Sequence, residues 1–157
     1  MRAGPRTRRM HILLQYIAVA AAIHFVWEVL QLPLYTIWTG ASLQQQAFAI
    51  VHCTAGDALI SGASMLSALA LAGRPAWPAS GTTRVNCACL AFGLAYTVFS
   101  EWLNTSVRAT WTYSELMPTV PVLGTGVAPL LQWIAVPLLA QTIVIGWPQS
   151  ADRRKGT

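Results

Sequence analysis

The sequence predicts an all-α integral membrane protein, with four transmembrane helices in one bundle and both termini cytoplasmic. Three observations predict it. Of 157 residues, 55% are hydrophobic and only 10% charged, whereas a soluble domain carries roughly 25% charged residues to hold its surface in water. The apolar residues gather into four stretches, each near the roughly 20 residues that span a bilayer as a helix. The charges are distributed with a strong bias between the two ends that such a bundle would have.

In chain order, a basic tail at 1–10 precedes a first helix at about 11–32. Pro33 and Gly40 break the chain before a second helix at about 47–72. Gly73, Arg74 and Pro75, followed by Pro78 and Gly81, separate it from a third at about 85–103. A fourth at about 129–147 contains no charge and is followed by a second basic tail at 148–157. Glycine and proline are the residues expected at each break. The segment 104–128 is the irregular part. Its Pro118, Pro121, Gly124 and Gly126 suit a loop or a re-entrant stretch over the outer mouth of the bundle.

Four crossings place both tails and the Arg74–Arg84 loop on one side. That side then holds nine of the ten basic residues, and Arg108 alone stands opposite. The positive-inside rule makes the basic side cytoplasmic, in an inner membrane of bacterial type. Trp38, Trp102 and Trp111 fall near the outer boundary and Trp77 and Trp147 near the inner one, as interfacial tryptophans do. A cleaved signal peptide is the competing reading of the N-terminus, but the apolar run continues past Ala22 to Leu32.

Composition also excludes other classes. The low charge and high apolar content exclude disorder, and three cysteines cannot frame a disulfide-stapled fold. The formal net charge of +5 sits in the tails and one loop, without an aromatic-interleaved basic stripe, so no nucleic-acid partner is expected.

The acidic residues mark the candidate site. Glu28, Asp57 and Glu101, three of the five acids, lie inside predicted helices, as do the histidines His24 and His52. A charge at the centre of a membrane helix costs about 2.5–3.5 kcal/mol on insertion scales, and such groups are functional by default. His24 and Glu28 are four apart on one helical face, and Cys53 and Asp57 repeat that spacing. The alternating helix directions bring all five groups to the outer half of the bundle.

Two chemistries suit these residues. His24, Glu28, His52 and Asp57 form a candidate metal set for zinc or iron, two imidazoles and two carboxylates with a position open to water. Alternatively, Glu28, Asp57 and Glu101 act as metal-free acid–base catalysts on a carbon–carbon double bond. Trp27, Asn104, Trp111 and Tyr113 would line the substrate pocket, with the tryptophan faces of Trp27, Trp102 and Trp111 stabilising a cation. The expected ligand is a lipid or isoprenoid-like molecule drawn from the bilayer. The run His24-Phe25-Val26-Trp27-Glu28 resembles the His/Glu signature of the emopamil-binding-type sterol isomerases. The resemblance covers those few residues only; for that family's further acid and late Asn/Trp pair this sequence offers no match beyond Glu101, Asn104 and Trp111, and its intervening loops differ. It implies a four-helix membrane isomerase.

A non-enzymatic role uses the same residues differently. A small transporter or channel subunit, or an assembly partner of a membrane complex, would bind a proton, a cation or a neighbour there, with homo-oligomerisation expected. Cys87 and Cys89 form a C-x-C pair at the far end of the third helix from Cys53 and are expected to pack rather than ligate.

Overall fold

The computed structural model describes residues 5–153, with side chains over 7–146. It contains four long helices and one short one: α1 (Pro5–Gln31), α2 (Ile37–Gly40), α3 (Leu43–Ala72), α4 (Thr82–Trp102) and α5 (Val127–Arg153). The long helices pack in a ring in which α1 touches α3 and α5, and α4 touches the same two. Three of them, α1, α3 and α5, are long and apolar enough to cross a membrane. In α4, Arg84, Asn86 and Glu101 lower the apolar content of 21 residues that are long enough to do so.

The helix limits differ from the expected ones for local reasons. The first basic tail is helical from Pro5, because proline suits the first helical position and the arginines that follow are good helix formers. Arg9 donates to the carbonyls of Arg74 and Pro75 at 2.7 and 2.5 Å, tying the start of α1 to the α3–α4 loop. The second tail likewise continues α5 through Arg153. Arg2, Arg154 and Lys155 lie outside the described residues, and Arg6 and Trp147 lie outside those with described side chains. α3 starts at Leu43, before the expected Ala47, because Ser42 and Gln45 form a reciprocal capping box. At the other end of α4, the chain widens into a π-helical turn over Leu103–Val107, where Asn104 and Thr105 bond back to the carbonyls of Ser100 and Glu101.

The bundle is apolar outside and partly polar within. Leu14, Leu30, Phe48, Leu59, Leu66 and Leu71 are exposed, while His24, Glu28, Gln31, Ser61, Glu101, Gln132 and Gln141 are buried. A protein solvated by water shows the reverse, and a bundle in hydrocarbon shows this pattern. The two ends of the bundle are built differently. At the arginine-bearing end, Ile12, Tyr16, Met65, Ala68, Trp77, Val85, Cys89, Val136 and Ala140 form a closed apolar core. At the opposite end, the α1–α3 connection meets the segment after α4. Thr36 N–H donates to Thr112 O at 3.0 Å and Ser114 N–H to Leu34 O at 2.9 Å, so this segment is strapped across the end of the bundle.

Candidate functional site

Three helices contribute to one buried polar cluster. From α1 come His24, Glu28 and Gln31, spaced four and three apart on one face. Asp57 and Ser61 come from α3 with the same i, i+4 spacing, and Gln132 comes from α5. Gln132 is the hub. Its side-chain nitrogen lies 2.9 Å from Glu28 Oε1, 3.0 Å from Asp57 Oδ2 and 2.9 Å from His24 Nδ1. His24 is fully buried; its Nε2 contacts Ser61 Oγ at 3.1 Å and its ring leans on Trp133, centroids 5.3 Å apart. Gly93 makes room for that indole, since a side chain there would overlap the Trp133 ring.

The amide orientations follow from one donor that cannot reverse. The Trp27 indole N–H only donates, and it reaches Gln31 Oε1 at 3.2 Å. Gln31 must then present its NH₂ to Glu28 Oε1 at 2.7 Å and to Gln132 Oε1 at 3.3 Å. Gln132 in turn directs its own NH₂ at His24, Glu28 and Asp57. An NH₂ has two hydrogens and here faces two carboxyls and the His24 Nδ1, which accepts or donates according to its tautomer. The count closes when His24 carries its proton on Nδ1, which lies 3.5 Å from Asp57 Oδ2, or when Glu28 or Asp57 carries one.

The cluster forms one wall of a cavity of about 1270 Å³ that extends between α3 and α4. Asp57, Gly56, Cys53, Ala49 and Phe48 line it from α3, and Tyr96, Thr97, Ser100 and Glu101 from α4. Phe48 and Tyr96 are both exposed, so the cavity opens sideways between these two helices. Glu101 is buried and accepts a hydrogen bond from Tyr113. The Tyr113 oxygen in turn accepts from Gly126 N–H at 2.9 Å, joining the acid to the strap across the mouth. Burial, with the Glu101 carboxyl beside it, pushes the Tyr113 hydroxyl pKa upward; burial and the same carboxyl do so at Tyr35.

No protein-family model, curated protein or solved structure matches this chain. The site therefore has to be read from its own geometry.

Of the residues expected to ligate a metal, the structure brings His24, Glu28 and Asp57 together around Gln132. His52 lies on the exposed side of α3, stacked on Phe48 with centroids 5.6 Å apart. Among the described residues, no group of three or more His, Cys, Asp or Glu side chains is placed to hold a metal ion. His52 nevertheless lines the same cavity as Asp57, and is separated from the Gln132 network by its position about 100° round the helix from Cys53. Among the expected pocket residues, Asn104 and Trp111 line the cavity and Tyr113 reaches it through Glu101. Trp27 instead orients Gln31, and Trp102 is half-exposed outside the lining. The network also uses Gln31, Ser61 and Trp133, which sequence reasoning did not assign to the site, and gives Gln132 a central place. An amide in an otherwise apolar helix was the available signal for Gln132.

Proposed function

We propose that this is a membrane enzyme that moves protons on a lipid or isoprenoid-like substrate, using Glu28, Asp57 and Glu101 as acid–base groups without a requirement for metal. The observation that carries this reading is the Gln132 hub, where the Glu28 and Asp57 carboxyls and the His24 ring meet on one amide nitrogen at the wall of a cavity open sideways. Two carboxyls that face one nitrogen, with no Lys or Arg paired to them among the described residues, are suited to hold one proton between them. A carboxyl in an apolar pocket that keeps its proton can donate it to a carbon–carbon double bond. The alkene π electrons form the new C–H bond, the carboxyl becomes a carboxylate, and positive charge develops on the neighbouring carbon. Loss of a proton from an adjacent carbon to a second carboxylate or to His24 then restores a double bond in a shifted position. Trp133 and Trp111, which line the cavity, offer π faces to the cation.

The proposal includes the membrane topology. All four long helices cross, α4 among them, with both termini cytoplasmic and the cavity opening to the outer half of the bilayer. The support is the arginine bias, and Arg9 bonded to the Arg74–Pro75 loop gathers part of that charge at one end of the bundle. The apolar core around Tyr16 and Met65 fills the arginine-bearing half, which favours a one-sided pocket over a solute pathway.

The test is deuterium uptake. Purified protein in nanodiscs made with membrane lipid would be incubated in D₂O and the lipids weighed by mass spectrometry. Wild type is expected to add deuterium to one class of unsaturated lipid, and Glu28→Gln and Asp57→Asn to slow this about 10²–10⁴-fold, the usual weight of a general acid or base. Absence of uptake by wild type, or unchanged uptake in both variants, would refute the proposal.

A further inference from the structure

The rim of the cavity carries a cation that pairs with no acid among the described residues. Arg108 lines the cavity and is exposed. Among the described residues, the one acid–base contact within ion-pair distance is His24 to Asp57, so Arg108 pairs with none of the three carboxyls in the same cavity. Glu101, which its sequence position would offer as a partner, is held by Tyr113 instead.

The backbone around Arg108 is specifically shaped. The π-helical turn ends on it, with Arg108 N–H donating to Leu103 O at 2.8 Å. The next residue, Ala109, takes φ 49°, a left-handed conformation unusual for a residue with a side chain. Thr110 closes the turn onto Asn104, backbone to backbone at 2.9 Å and hydroxyl to Asn104 Oδ1 at 3.0 Å. π turns and left-handed non-glycine residues concentrate at functional sites because they cost stability elsewhere. Trp111, three residues on, also lines the cavity, but its indole nitrogen is buried and serves the Glu101 carboxyl. Arg108 is therefore the donor at the rim left to seek an acceptor.

We propose that the cavity binds an amphiphile with a single apolar tail and an anionic head, its head held at Arg108 and its tail directed toward Asp57. The inference rests on the reading of the cavity as a lipid site and adds the class of lipid. Charge complementarity sets the orientation: Glu28, Asp57 and Glu101 repel an anion from the floor, while Arg108 attracts it to the rim. The sideways opening at Phe48 and Tyr96 admits a tail from the bilayer without drawing the head through hydrocarbon. The depth also suits a tail, since Gln45 to Asp57 spans roughly 18 Å of helix rise. A planar guanidinium matches a phosphate or carboxylate head through paired hydrogen bonds.

The experiment is equilibrium binding to the full chain in nanodiscs of zwitterionic lipid, with farnesyl monophosphate, farnesol and inorganic phosphate as probes. The monophosphate is expected to bind about ten- to a hundredfold more tightly than farnesol, the weight of a charge-assisted hydrogen bond. Arg108→Gln is expected to remove that preference while leaving farnesol affinity within about twofold. Arg108→Lys, which keeps the charge but not the fork, is expected to retain part of it. Inorganic phosphate is expected not to compete. Equal binding of monophosphate and farnesol, or a preference that survives Arg108→Gln, would overturn the head site while leaving the lipid cavity standing. Competition by inorganic phosphate would overturn it in favour of a free-anion site. Binding of neither prenyl compound would overturn the underlying lipid reading.

Discussion

Two glutamines on the same helix show how differently the two halves of this bundle are made. Gln132 and Gln141 are both buried in α5. In the open half, Gln132 bonds to residues of α1 and α3 and satisfies both ends of its amide. In the closed half, neither the nitrogen nor the oxygen of Gln141 has a hydrogen-bond partner among the described residues. Its surroundings are Ile12, Leu13, Tyr16, Met65, Trp77, Val144 and Ile145. One half is held by polar groups that complete each other, and the other by apolar packing. The contrast teaches that an amide in an apolar bundle takes its value from its neighbours rather than from its residue type.

The largest effect on stability should come from the closed half. Met65 is almost fully buried there, and Met65→Ala should cost about 2–5 kcal/mol through lost contacts and the cavity left behind. Thermal unfolding in detergent would measure this, and deuterium uptake per folded molecule should be unchanged. Uptake lost in the folded fraction would mean that the two halves are not separable.

The glutamines sharpen the comparison at a smaller scale. Gln132→Leu should lose about 1–3 kcal/mol, because Glu28 and Asp57 lose a buried donor. Gln141→Leu should be neutral or stabilise by up to about 1 kcal/mol, since it replaces two unmatched polar atoms with packing. Equal losses from the two changes, in the same unfolding assay, would erase the distinction drawn between the halves.

The smallest effect concerns pH and the strap over the open half. The Tyr113 hydroxyl has its pKa raised, by burial first and then by the hydrogen bond to and charge of Glu101. The folded state therefore holds this proton more tightly than the unfolded chain. Its contribution is full below the unfolded pKa of about 10 and is lost as pH rises past that value toward the higher folded one. Tyr113→Phe should accordingly flatten the fall in stability above about pH 10 without changing its course near neutrality. An unaltered alkaline limb in the variant would show that Tyr113 is not coupled to folding.

Much of the site was legible because membrane physics makes its residues conspicuous. Glu28, Asp57 and His24 stand out in apolar runs where an ionisable group is costly, and i, i+4 spacing places His24 and Glu28 on one face without knowledge of the fold. The role of Gln31 was not legible. It depends on Trp27 and on a glutamine about a hundred positions away, and nothing local distinguishes it from a polar residue at a helix end. His52 lines the same cavity but stands outside the Gln132 network, because one residue of register turns it about 100° from Cys53 and onto Phe48.

The sequence by itself determined an all-helical, largely apolar chain, the approximate positions of four long helices, the bias of basic charge and the three misplaced acids. These are local properties, set by composition, by helical periodicity and by the cost of polar groups in hydrocarbon. Only the tertiary structure decided that Gln132 would be the hub, that Glu101 would bind Tyr113 rather than Arg108, and that α3 and α4 would part around a cavity. Those outcomes depend on which faces of distant segments meet. Helix packing sets this through side-chain shape summed over whole interfaces, a quantity that no short window of sequence contains.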